Sequence, residues 1–281
     1  MSEEEETART PTVIEFFRYL VDDDEAVASR REYCAEVSKH FANVAMWLGL
    51  DASLGGGDLT DNTRVSGAYI DRDLTRLQAF MAVGLVAQIG SELIVGTLQL
   101  LESGQFYSGS ALMRQLIECE YLLRVFQSSF VEGSRWLVAN DEDRWDFTPS
   151  KLRKIVGFDQ QEYSDHCNAG GHPNPKGGSL LQLQGRIQKL NRLAADDDRG
   201  TDRAKLLWLD FAFHCDRTWR SLNDLLLQEH ARYGKVRADT IEAALQSFAE
   251  WDKVDPLAKN FGGLQSAMSD NPSLALDQLF R

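Results

Sequence analysis

FMAVGLVAQIGSELIVGTLQLL, running from Phe80 to Leu101, carries a single charge, Glu92. Its length matches the roughly 20 residues that cross a bilayer. The fold therefore turns on whether it is a membrane span or the core of a bundle. Gln88, Ser91, Glu92, Thr97, Gln99 and three glycines interrupt it. No basic cluster flanks it on one side, as membrane orientation requires. A helix apolar nearly all round is also what the centre of a large bundle demands, and the stretch is read as a buried core helix. That helix extends from about Asp71 to Glu102 and stops at Ser103-Gly104, where glycine ends helices. A second helix, Tyr107 to Ser128, begins only a few residues later, and so short a connection predicts an antiparallel hairpin.

Working outward, the pattern is helical almost everywhere. Val27, Cys34, Val37, Phe41, Val44 and Leu48 recur at helical spacing and predict a helix from Asp24 to Leu50. A short amphipathic helix is expected at 12–22. Gly55-Gly56-Gly57 and the surrounding Asp, Asn and Thr residues predict a loop from Asp51 to Gly67. Further helices are expected at Val131–Asn140, Pro149–Val156, Gln160–Cys167, Leu180–Ala194, Asp202–Glu229 and Ala238–Trp251. A glycine- and proline-rich loop, Asn168 to Gly178, interrupts them. No β-pattern or repeat is evident. The expected fold is all-α: a single multi-helix bundle around the central antiparallel hairpin. Residues 1–10 are expected to be an acidic tail, 11–255 the bundle domain, and 256–281 a weakly helical tail.

Composition narrows the partners. The formal net charge of −13 opposes non-specific binding to double-stranded DNA and to anionic membranes. Residues 149–192 run against this trend, with seven basic groups and three acidic ones. That segment is read either as a solvated face paired with acidic neighbours or as a contact surface for RNA. Four cysteines without a CxxC pair fit a reducing compartment, and the acidic start (Glu3 to Glu6) is unlike a secretory signal. A cytoplasmic protein is expected. No motif names a cofactor.

Two groups of residues invite chemistry. Arg114 and Glu118 lie one turn apart on an otherwise apolar helix face, where charges must be paired. Glu92 could join them across the hairpin. They form either a network that fixes helix register or a site inside the bundle. Asp210 and His214 are likewise at i, i+4 and point the same way, so they could hold one metal, with Glu118 and Glu92 as further ligands. The alternative is a hydrogen-bonded core histidine on the stripe Leu207, Phe211, Thr218, Leu222. The Glu-x-x-His pairs of dimetal bundles are absent. So are the Gly-x-Ser-x-Gly elbow and a phosphate loop. Cys167 beside His166 lacks an orienting third group.

The run Ser110-Ala-Leu-Met-Arg114-Gln-Leu-Ile-Glu118-Cys-Glu-Tyr-Leu-Leu resembles the central helix of a group of bacterial helical proteins of unassigned function. The segment Tyr163-Ser-Asp-His-Cys-Asn-Ala-Gly-Gly-His172-Pro looks like the same group's later Tyr-loop-His element. The resemblance covers roughly residues 75–180. That group is in turn similar to the HEPN bundles of toxin–antitoxin and phage-defence systems, many of which cut RNA. The resemblance implies a HEPN-like helical module, homo-oligomeric, acting by ligand binding or on a protein partner. Arg114, Glu118, Tyr163 and His172 would line its polar or catalytic site. The HEPN nuclease signature, an Arg followed by His after four to six residues, precedes none of the five histidines. Ribonuclease action by the usual route is therefore not implied. The alternatives are a divergent ribonuclease using His172 and a metal-dependent enzyme using Glu118, Asp210 and His214.

Overall fold

The computed structural model describes residues 24–59, 67–168, 180–181 and 198–233. Among these there are helices and turns and no strand. Four long helices make the frame: α1 (Asp24–Leu59), α2 (Gly67–Glu102), α3 (Phe106–Ser128) and α7 (Asp198–Tyr233). They pack as a ring, α1 on α2, α2 on α3, α3 on α7, and α7 back on α1. Three short helices ride on this frame. α4 (Val131–Val138) covers α2, while α5 (Pro149–Val156) and α6 (Gln160–His166) pack on α3. The all-α bundle built around the α2–α3 hairpin is as expected.

The hairpin forms because the chain stops and restarts sharply. Gly104 takes a φ of +74°, which an L side chain rarely adopts. Its N–H donates to Leu101 O at 3.0 Å, and Gln105 N–H donates to Leu100 O at 2.7 Å, satisfying carbonyls the helix leaves open. α5 and α6 are punctuated the same way. Pro149 opens α5, Gly157 closes it in the left-handed region, and Asp159 caps α6 by accepting from Gln161 N–H at 3.0 Å.

α2 is the expected core helix on one face only. Its inward face (Ala79, Ala82, Val83, Val86, Ala87, Ile94) has no water contact, while Met81, Leu85, Ile89 and Val95 on the other face are about two-fifths exposed. α2 is the one described helix long and apolar enough to cross a membrane, and in this bundle only one side of it is covered. Its glycines set how closely its neighbour approaches. A Cβ on Gly90 would lie 2.8 Å from the ring of Phe41 on α1. Beside it Ser38 and Ser91 bond reciprocally, Ser91 Oγ to Ser38 O at 3.0 Å and Ser38 Oγ to Ser91 O at 3.4 Å.

α1 continues to Leu59, through the three glycines where a loop is expected from Asp51. Glycine costs only about 1 kcal/mol relative to alanine in a helix, and extending an existing helix gains a bond per residue. α7 exceeds its expected span at both ends. The expected helices at 12–22 and 238–251, nearly all of 180–194, all but Asn168 of the Asn168–Gly178 loop and both tails lie outside the described residues.

α7 dominates the core. Nine consecutive residues, Phe211 to Trp219, are all buried. A helix enclosed on every side cannot turn its polar residues to water. His214, Asp216, Arg217 and Thr218 must therefore find partners inside the protein.

Candidate functional site

α6 is the short element on which the polar groups converge. Its residues alternate between two clusters, one half open and one closed.

The half-open cluster joins α3 to α6. Tyr163 donates its hydroxyl to Glu118 Oε1 at 2.8 Å, Arg114 Nη1 stands 3.5 Å from the same oxygen, and Arg114 Nη1 also reaches Tyr163 Oη at 3.4 Å. Burial and the Glu118 carboxylate both push the Tyr163 hydroxyl above its ordinary range, so it remains a donor at neutral pH. The Arg114 and Glu118 side chains keep 20% and 27% of their surface in contact with water. Three of the four residues expected to meet are thus brought together. The fourth, His172, lies outside the described residues. Glu92 does not join them: it is exposed on the outer face of α2, since its neighbours Ser91 and Leu93 take the inward positions.

The closed cluster lies between α6 and α7. His166 Nε2 and His214 Nε2 face one another at 2.9 Å, their rings nearly perpendicular. Asp210 Oδ1 stands 3.4 Å from His214 Nε2 and 3.7 Å from His166 Nε2. The i, i+4 pairing of Asp210 with His214 is as its spacing predicts. The expected partners Glu118 and Glu92 are elsewhere, and His166 takes their place. His166 and His214 are 1% exposed and Asp210 11%. Burial lowers the pKa of His166. Burial opposes ionisation of Asp210, but the two imidazoles outweigh it and hold its carboxyl below the usual range. Both Nδ1 atoms and Asp210 Oδ2 are buried without a hydrogen-bond partner among the described residues.

A buried ion network adjoins it. Arg217 pairs with Glu120 (Nη2 to Oε2, 3.0 Å) and with Glu162, and its guanidinium is held between the rings of Phe158 and Phe213 at 4.7 and 5.1 Å. Arg124 Nε donates to Glu120 Oε1 at 3.1 Å. Burial works against the Glu162 carboxylate, but Arg217 prevails and holds it below its ordinary pKa. On the far side of α7, Asp216 accepts from Tyr33 at 2.9 Å and from Arg220 at 2.7 Å, tying α7 to α1. These residues were missed in the sequence reading, yet a signal existed. Glu120 falls on the stripe Met113, Leu116, Ile117, Leu123, where a charge demands a partner.

The basic segment is partly consumed by the fold. Arg153 is buried and donates to Phe158 O at 3.0 Å, while Lys151 pairs with Asp146 at 2.9 Å. Lys154 is exposed. The remaining four basic residues lie outside the described residues.

No family model matches the chain, and neither a curated protein nor a solved structure does.

Proposed function

We propose that this chain is a HEPN-like helical module that works by binding a ligand or protein partner at the partly exposed cluster where Arg114, Glu118 and Tyr163 meet, in a bacterial defence or toxin–antitoxin setting. The observation that carries the reading is the Tyr163–Glu118 hydrogen bond. It joins two segments 45 residues apart that the family resemblance pairs. The cluster offers a guanidinium and a carboxylate still touched by water, and beside them a half-buried phenol. A partly exposed pair at 3.5 Å contributes under about 1 kcal/mol, so a ligand that supplies its own anion can displace Glu118 from Arg114 at low cost. Arg114 then presents a fork suited to phosphate or carboxylate.

The test is calorimetric titration of the full chain with inorganic phosphate, nucleoside monophosphates and a short single-stranded RNA. Wild type is expected to bind at least one probe, and Arg114→Ala to weaken it tenfold or more. Equal binding by wild type and variant, or no binding of any probe, removes this cluster from consideration. The nuclease alternative makes its own demand. Wild type must cleave RNA and His172→Ala must not, and intact RNA at high protein concentration closes it.

A further inference from the structure

We infer that His166, Asp210 and His214 form a buried His2Asp site for a divalent transition-metal ion, separate from the Arg114 cluster. The argument is geometric. Metal–ligand bonds of about 2.0–2.2 Å put neighbouring donor atoms about 2.9–3.5 Å apart, whether the centre is tetrahedral or octahedral. The three donors stand 2.9, 3.4 and 3.7 Å from one another, so a single point lies at bonding distance from all of them after adjustments of a few tenths of an ångström.

A purely structural cluster accounts for this arrangement less well. Two neutral imidazoles share one Nε2–H···Nε2 bond, which uses one donor and one acceptor. The carboxylate then stands 3.4 Å from His214 Nε2, at the long end of a hydrogen bond, and 3.7 Å from His166 Nε2, beyond one. A cation at the centre uses all three lone pairs at once.

The donor set selects the metal. Two imidazoles and one carboxylate suit zinc, iron(II), cobalt or manganese better than magnesium or calcium, which prefer all-oxygen shells. Three protein ligands leave at least one coordination position for water or another molecule. Asp210 and His214 come from one turn of α7, enclosed on all sides, so two of the three ligands are held rigidly before any metal arrives.

The experiment strips the full chain with a chelator and titrates it with zinc and with cobalt(II), reading calorimetry, melting temperature and the cobalt visible spectrum. One equivalent per chain is expected, with a higher melting temperature and cobalt bands of a nitrogen–oxygen centre. Asp210→Asn, nearly isosteric, is expected to weaken binding at least a hundredfold while remaining folded by circular dichroism. His166→Gln is expected to do the same. Cys167→Ser and Arg114→Ala are expected to bind metal as wild type does, which separates this site from a cysteine-based one and from the Arg114 cluster. Failure of stripped wild type to take up one equivalent overturns the proposal. So does wild-type affinity in a folded Asp210→Asn.

Discussion

Glu120 has no side-chain surface in contact with water, and two guanidiniums neutralise it. Removing one partner of such a pair strands the others, which typically costs about 3–5 kcal/mol, whereas Arg114 and Glu118 keep 20% and 27% of their side-chain surface in water, which can solvate the partner left behind. Urea unfolding is therefore expected to show Glu120→Ala as severely destabilised and Arg114→Ala as distinctly less so. Equal losses would mean the two charges share one environment. Glu162 adds a pH dependence. Its folded pKa lies below its ordinary 4.5, so its contribution is fully present above that value and is lost as pH falls through the folded pKa. Between pH 6 and 3, wild type is expected to lose more stability than Glu162→Gln in the same melts, and parallel curves would refute this. At this scale the sequence told half the story. Arg114–Glu118 and Asp210–His214 were legible because i, i+4 spacing is a property of one helix. His166 with His214, 48 residues apart, and Glu120 with Arg217, 97 apart, depend on how helices pack.

Among the helices, the α1–α2 contact depends on an absent side chain. A methyl at Gly90 would meet the Phe41 ring, itself fully buried, at 2.8 Å. Helix propensity favours Gly90→Ala by about 1 kcal/mol. Overpacking opposes it by about 1–3 kcal/mol, and overpacking is expected to win because Phe41 has nowhere to go. A thermal melt showing Gly90→Ala more stable than wild type would mean the two helices can separate freely. Periodicity revealed these helices and the tight hairpin, since both are local. It fell short at two points. The glycine run at 55–57 was read as a breaker, although a helix already formed tolerates it. The apolar stretch at 80–101 is a core helix as read, but composition alone does not say that one of its faces stays open, because it does not say how many neighbours a helix has.

In the molecule as a whole, the ring of four long helices sets where the chain opens last. α3 and α7 combine the deepest burial with the buried ion network, whereas α5 is a two-turn helix resting on the outside of α3. Amide hydrogen exchange is expected to be slowest in α3 and in residues 207–219 of α7, and faster in α5. The reverse order would place the core elsewhere. The unbroken burial of Phe211–Trp219 also bears on how this stretch tolerates change. An ordinary amphipathic helix accepts substitution at every third or fourth position, on its wet side. Here a scan of all single replacements should find a solid block of nine intolerant positions, polar and apolar alike, with no periodic relief. The segment has no neutral ground across which its sequence could drift.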